Sequence, residues 1–368
     1  MSLILDGHKL AWHRERVEAL LAGERVAPIT MDIALTRACN FKCSYCYSQL
    51  QDNKSEKITL PAIHRFFDDI AEIGVKAVSL VSDGESTCSP HFYEAVRRGR
   101  ANGLDMAVGT NGALFKTDDE RFEELLQNTT YLRFNISAAA PDRFVAIHGC
   151  SMSDYEAVCR NIKGAAVIKK RLGLPVTVGM QMVLTPELAD QVLPLARLAV
   201  ELGADYLVIK HCSDDETGAL GVDYSGYEAL TGLLQQAEAL STPETAIIVK
   251  WSKVMSEGKR NYSRCYGPPL IMQLSGSGLV APCGMLFNSR YEKYHIGNIA
   301  LESFKKMWRS ERYWEVMRAI ASPEFDARTM CGSLCLQHKV NECLWSLKQG
   351  EAELPVDPGP PPEHLNFI

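Results

Sequence analysis

The sequence predicts an α/β protein: a partial (β/α)6 barrel of parallel strands followed by a small C-terminal α+β extension. Three observations point there. From about residue 31 to 212, short apolar runs alternate with helical patterns. After residue 265 that alternation stops, and glycines and cysteines crowd the chain. The length, 368 residues, suits one large unit and a smaller one with a sizeable core.

Taken in order, residues 1–30 predict a helix over HKLAWHRERVEALLAG and a linker around Pro28. Six strands follow: MDIALT (31–36), KAVSLVS (76–82), MAVGTN (106–111), YLRFNIS (131–137), VTVGMQMVL (176–184) and YLVIKHC (206–212). Between them, Thr59 to Gly74 reads as a helix. Pro61 stands early, Ile63, Phe66, Ile70 and Ile73 share a stripe, and Gly74 is a stop. A second helix is expected over 187–203, kinked at Pro194. Strands alternating with helices imply parallel pairing through right-handed crossovers, with function at the carboxyl ends of the strands. In the fourth strand Arg133, Asn135 and Ser137 share one face and Leu132, Phe134 and Ile136 the other. The polar face is expected to look into the barrel, where it would meet a polar ligand; an edge strand with a wet face is the alternative. Residues 213–245 read as a loop and a helix. Two short runs around Gly276-Ser277-Gly278 read as a hairpin, a helix is expected at about 302–320, and the proline-rich tail is expected to run extended. The expected units are therefore 1–30, 31–245, 246–350 and 351–368.

A formal net charge of -6 shows no nucleic-acid footprint. No apolar run is long enough to cross a membrane, and the N-terminus lacks the layout of a signal peptide. A cytoplasmic protein with no nucleic-acid or membrane partner is expected. Disulfides are disfavoured in that compartment, so twelve cysteines point to metal or redox chemistry.

The spacing says which. Cys39, Cys43 and Cys46 form C-x3-C-x2-C directly after the first strand. Three thiolates on a short loop hold three irons of a [4Fe–4S] cube and leave the fourth open. An open iron accepts a chelating small molecule, and S-adenosylmethionine (SAM) offers an amine and a carboxylate. Zinc normally asks for a fourth ligand, which is missing nearby. A redox pair of Cys43 and Cys46 alone leaves Cys39 without a purpose.

With Tyr45 before the last cysteine, this stretch resembles the radical SAM superfamily. Further matches follow in order over about 31–212. Ser82-Asp83-Gly84-Glu85 resembles the family's Gly-Gly-Glu element, with Asp83 in place of the first glycine; the resemblance implies that its backbone and acid hold the SAM amine. Thr110-Asn111-Gly112 follows the third strand. The resemblance places Asn135, Ser137 and, more weakly, Gln181 beside SAM. Where many relatives carry Arg-Gly, this chain has His148-Gly149, with Arg143 nearby. The set implied to meet SAM is thus Tyr45, Asp83, Gly84, Glu85, Asn111, Asn135, Ser137, His148 and Gln181.

The C-terminal cysteines Cys265, Cys283, Cys331, Cys335 and Cys343 resemble the auxiliary-cluster extension called SPASM or, in its shorter form, twitch. Gly278 to Cys283 fits its G-x4-C element, and five cysteines fit the one-cluster form. A fully ligated [4Fe–4S] cluster takes four: Cys265, Cys283, Cys331 and Cys335, with Cys343 replacing one of the last pair as an alternative, and a four-thiolate zinc site as another.

The resemblance implies a 5′-deoxyadenosyl radical that abstracts hydrogen from a hydroxylated small molecule, sugar- or aminocyclitol-like, giving oxidation or epimerisation. A peptide- or protein-modifying maturase and a non-enzymatic iron–sulfur electron carrier are the other readings. Cys212 is a candidate hydrogen-atom donor for epimerisation; Lys210 or His211 is a candidate base for oxidation. A flavodoxin- or ferredoxin-type electron donor is implied.

Overall fold

A computed structural model describes residues 3–53 and 57–368. Its strands are β1 (Thr30–Ile33), β2 (Ala77–Leu80), β3 (Asp105–Thr110), β4 (Tyr131–Asn135), β5 (Thr177–Leu184), β6 (Tyr206–His211), β7 (Ala246–Val249), β8 (Ile271–Leu274), β9 (Leu279–Ala281) and β10 (Gly297–Asn298). One sheet joins them in the order β10-β9-β8-β1-β2-β3-β4-β5-β6-β7. The seven strands β1 to β7 run parallel, each beside its predecessor, so the alternation of strand and helix builds a partial barrel. Strand β7 extends the six expected. It hides in the sequence because the helix before it, Thr231–Glu238, is short and the strand has four residues.

The helix expected at Thr59–Gly74 runs from Leu60 to Ile73. Thr59 caps its first turn, and Gly74 closes it at φ 99°. The helix expected over 187–203 is not one kinked rod. Pro186–Gln191 is a 3-10 turn and the α-helix begins at Val192. Pro194 thus stands in a first turn, where its missing N–H needs no partner.

Strand β4 lies between β3 and β5, which overturns the edge-strand alternative. Leu132, Phe134 and Ile136 are fully buried against the helices. Arg133 and Asn135 stay partly exposed toward the lumen.

The hairpin β8–β9 forms as expected, turning through Gly278. Strand β8 also pairs in parallel with β1, Thr30 opposite Ile271. The C-terminal unit therefore prolongs the barrel sheet instead of hanging from it. The expected helix 302–320 is two, Phe304–Arg309 and Glu311–Ile320, with Ser310 capping the second. The tail folds under the barrel. Lys9 donates to the carbonyls of His364 and Phe367, and Thr30 Oγ1 donates to that of Asn366.

Candidate active site

The loop after β1 carries Cys39, Cys43 and Cys46, all free thiols. Two neighbours hold it at backbone level. Lys42 and Ser44 donate N–H groups to the carbonyls of His148 and Ile147, and Glu85 donates to that of Ala38. Close approach is what the flanking glycines permit. At Gly149 (φ 58°) a Cβ would lie 2.7 Å from the Lys42 carbonyl oxygen, and at Gly84 (φ 94°) 2.3 Å from that of Thr36. The three thiols feel one another. Burial first, then neighbouring acidic groups including Cys46, push Cys39 up to about 11; burial and the other two thiols raise Cys43 further. Such groups stay protonated until a metal removes the proton.

His148 is not placed to meet a SAM carboxylate. Its ring is buried behind the loop. The Ser137 backbone N–H donates to Nε2 at 3.1 Å, so Nε2 carries the lone pair. The proton therefore sits on Nδ1, 3.2 Å from Cys43 Sγ. Burial holds the ring pKa at about 4, which keeps it neutral. Ser137 Oγ donates to the Tyr45 hydroxyl at 3.0 Å and accepts from Val183 N–H. Tyr45, Ser137 and His148 thus form a bonded set beneath the thiols.

The expected Gly-Gly-Glu analogue is used differently. Glu85 Oε1 accepts from Thr87 N–H, Thr87 Oγ1 and Thr110 Oγ1, and Oε2 accepts from Asn111 N–H at 2.7 Å. A carboxylate has about four acceptor positions, so Glu85 braces two loops with little capacity left for an amine. Asp83 turns to the hairpin. It accepts from Ser275 Oγ (2.6 Å) and Gly276 N–H (2.8 Å) and pairs with Arg37 at 3.2 Å. Asn111 donates to Asn40 Oδ1 and stands 4.0 Å from Cys39 Sγ. Gln181 donates to Asn135 Oδ1 at 3.0 Å across the β4–β5 register. Arg143 pairs with Asp190 on the surface.

The second thiol set converges. Cys265, Cys283, Cys331 and Cys335 line one enclosed hole, with Arg260, Gln337 and Asn341 in its wall. Asn341 Nδ2 donates to Cys265 Sγ at 3.4 Å and Arg260 Nη2 to Cys331 Sγ at 3.6 Å. Burial and the neighbouring thiols push Cys265 and Cys283 far up. Arg260 offsets part of the burial effect at Cys331, which stands at about 11. Cys343 packs instead with a separate apolar group around Leu344 and Val340. Among the described residues, no three His, Cys, Asp or Glu groups could hold a single metal ion. Tetrahedral zinc draws sulfurs to about 3.8 Å from one another, given Zn–S near 2.3 Å; a cube of iron and sulfide spreads them further. The donor sets, three thiols on one loop and four around one hole, are the number that iron–sulfur cubes take with an open and a closed iron respectively.

A cavity of about 270 Å³ lies between the two sets. Its wall includes Cys46 on one side and Cys335 on the other, with Asp32, Arg133, Gln181, Lys210 and Gln273. Lys210 lines it. Burial first, then Lys253 and Arg133, push its amine down to about 7. Two other candidates are misplaced. His211 points to the opposite side of β6, where its ring nitrogens stand 2.9 and 3.4 Å from the carbonyls of Lys253 and Leu334. It braces the Cys335 loop and offers no lone pair to the cavity. Cys212 is 1% exposed, lies outside the cavity wall, and its thiol contacts the Tyr45 carbonyl at 3.7 Å. Burial pushes it up to about 12. Sequence reasoning missed Asp32, because a lone acid inside an apolar strand carries no pattern. It also missed Arg37 and Ser275, whose partner Asp83 is distant in sequence.

Comparison with known proteins finds two matching domains in the chain. The model of the radical SAM superfamily matches residues 33–199, from the end of β1 through the three-thiol loop and β2 to β5. The protein is a radical SAM enzyme, and its first cofactors are SAM and a [4Fe–4S] cluster. An iron–sulfur cluster-binding domain, SPASM, matches residues 265–336, which contain all four converging cysteines. More particularly, then, the chain joins a radical SAM domain to a C-terminal SPASM domain that binds auxiliary iron–sulfur.

Among relatives, a tungsten-containing aldehyde ferredoxin oxidoreductase cofactor-modifying protein of Pyrococcus furiosus is 21% identical, over 76% of this chain and 81% of its own length. An AdoMet-dependent heme synthase of Methanosarcina barkeri is 25% identical, over 85% and 90%. Streptococcus suis SuiB bound to S-adenosylmethionine shares the fold at TM-score 0.63 and 15% identity, covering 84% of this chain and 72% of SuiB. The anSMEcpe structure with bound AdoMet does so at 0.59 and 15%, covering 88% and 95%. Among the described residues no helix is long and apolar enough to cross a membrane.

Proposed function

We propose that this radical SAM enzyme oxidises a small molecule held in the lumen between its two thiol sets. The observation that carries the reading is the cavity whose wall contains both Cys46 and Cys335. When bound, the first cluster with SAM supplies a hydrogen-abstracting 5′-deoxyadenosyl radical and the auxiliary cluster an electron acceptor.

The chain's own residues supply the rest. Cys39, Cys43 and Cys46 would hold the first cluster, and Cys265, Cys283, Cys331 and Cys335 the second. Lys210, uncharged in good part at neutral pH, accepts at Nζ the proton released when a hydroxylated carbon becomes a carbonyl. Taking a hydroxyl to a carbonyl removes one hydrogen atom, one proton and one electron, and the cavity offers a destination for each. Epimerisation would need a hydrogen-atom donor inside the cavity, and Cys212 stands outside it.

Two broadly matching relatives are named for work on a tungsten-enzyme cofactor and on heme, which supports a small substrate. A sugar- or aminocyclitol-like alcohol is the form in which the reaction ends at a carbonyl. We assign the reducing electron to a flavodoxin- or ferredoxin-type donor.

The test is anaerobic turnover of reconstituted enzyme with panels of polyols, porphyrins and peptides. One 5′-deoxyadenosine per doubly oxidised small molecule is expected, with product lost but SAM cleavage kept in Cys283→Ala. Product bearing solvent deuterium at an inverted carbon would overturn oxidation. Turnover of peptides alone would restore the maturase reading, and absence of SAM cleavage the electron-carrier one.

A further inference from the structure

The lumen holds more basic side chains than the oxidation requires. Arg133 from β4 and Lys210 from β6 line the upper cavity. Below it is a second compartment of about 120 Å³ that shares Asp32, Val81, Arg133 and Leu336 with the first and adds Lys250, just after β7. Two acidic side chains border these spaces among the described residues, Asp32 and Asp83, and Ile368, which carries the terminal carboxylate, lines the lower one. Asp83 is engaged by Arg37 and the hairpin. Burial pushes the Asp32 carboxyl up to about 7 despite Arg133, so it is only partly ionised at neutral pH.

The Arg133 guanidinium is correspondingly short of partners. The Nε of Arg133 is buried with no hydrogen-bond partner. Arginine cannot shed its proton, so this orphan donor persists at every physiological pH. Lys250 is driven far down by burial first, then by Lys253, Lys210 and Arg133, against a smaller opposing pull from Asp6. A buried cation without a counter-charge is costly, and a guanidinium matches carboxylate and phosphate geometry.

We propose that the substrate carries an anionic group, a carboxylate or a phosphate, and that Arg133 with Lys250 forms the subsite that binds it. The proposal rests on reading the lumen as the substrate site. Seated there, the anion supplies the acceptor that Arg133 Nε lacks and draws Lys250 toward its charged form. It also anchors the substrate below the plane of the thiol loops, with its reacting carbon toward Cys46 and Lys210. Neutral polyols lack this anchor and are expected to be poor substrates next to their phosphorylated or carboxylated counterparts.

The SAM carboxylate is the other source of such a charge, and the experiment separates the two. Reconstituted holoenzyme saturated with SAM is titrated calorimetrically with inorganic pyrophosphate and with citrate. Saturable binding is expected, weakened about tenfold or more in Arg133→Gln and in Lys250→Gln, as for loss of a charge-assisted hydrogen bond. Arg133→Lys should recover part of it. Thermal melts verify that each variant is folded, and two independent substitutions guard against a single misfolded one. Failure of both anions to bind the wild type, or binding indifferent to both substitutions, overturns the proposal. So does an Arg133→Gln protein whose reduced cluster needs more SAM for its spectral change while its anion affinity is unaltered; the arginine would then serve SAM. None of these outcomes depends on turnover, so failure of the oxidation reading shows separately, in the Cys283→Ala product assay.

Discussion

Replacing His148 with leucine should lower the reduction potential of the cluster on Cys39, Cys43 and Cys46. The Ser137 N–H fixes the tautomer, so the ring presents Nδ1–H to Cys43 Sγ at 3.2 Å. A hydrogen bond to a thiolate stabilises the reduced, more negative cluster more than the oxidised one. Hydrogen bonds to charged groups contribute about 1.5–3 kcal/mol in total, and only the difference between redox states counts here. A difference of about 1 kcal/mol corresponds to about 40 mV for one electron. The measurement is an EPR-monitored redox titration in a Cys283→Ala background, so that only the first cluster is read. A fall of about 40 mV is expected for His148→Leu and a smaller one for His148→Gln, which keeps an N–H donor. Leucine also strands the Ser137 N–H, so melting should come earlier, by the equivalent of about 1–3 kcal/mol. An unchanged potential would refute the hydrogen-bond reasoning. A normal potential with weakened SAM binding would return His148 to the carboxylate role that the sequence suggested.

Other consequences are more direct. Cys335→Ala should lose about four irons on anaerobic reconstitution and Cys343→Ala none, by colorimetric iron counting; equal losses would contradict the four-thiol hole. Asp83→Gly should destabilise the fold by about 2–4 kcal/mol through loss of the Arg37 pair and the hairpin hydrogen bonds, read by chemical denaturation. His211, His338 and His364 are held by burial at about 3, 4 and 4, against an ordinary 6.5. The unfolded chain binds protons there before the folded one does. Stability is therefore full above about 6.5 and is lost as pH falls toward 4, a slope visible in calorimetric melting temperatures; a flat profile would contradict their burial in neutral form.

How much of this was readable depended on whether a residue's partner is near in sequence. Cys39, Cys43 and Cys46 lie within eight positions, so the spacing alone points to an iron–sulfur loop. The stripe Ile63, Phe66, Ile70 and Ile73, with its Thr59 cap, is likewise local, and the helix forms as read. The alternation in YLRFNIS placed Arg133 correctly toward the lumen, although it did not show that the guanidinium lacks a partner. Residues whose partners are remote were misread. His148 was matched to a ligand because it stands where relatives carry arginine, yet burial makes its neutral ring a donor to a thiol 105 positions away. Cys212 and His211 end a barrel strand, and alternation could not decide which of them meets the cavity. The parallel pairing of β8 with β1 joins segments some 240 residues apart and left no trace in periodicity.

That remote pairing bears on how two clusters act on one substrate. The oxidation proposed above would need the thiol loop after β1 and the four-thiol hole beyond β8 held at a fixed separation. Because β1 lies between β2 and β8 in one sheet, both loops spring from adjacent strands and share backbone hydrogen bonds. Asp83 strengthens the link: it ends the β2 loop, pairs with Arg37 on the thiol loop and accepts from Ser275 and Gly276 on the hairpin. Read as a motif, Asp83 is a departure from glycine that weakens a SAM contact. Read in three dimensions, it is a carboxylate tying three loops at the rim of the cavity, a task glycine cannot perform because it has no side chain to share among them. Gly84 beside it keeps the close backbone approach to Thr36 and Arg37, so the two residues together fix the thiol loop against the β2 loop and the hairpin.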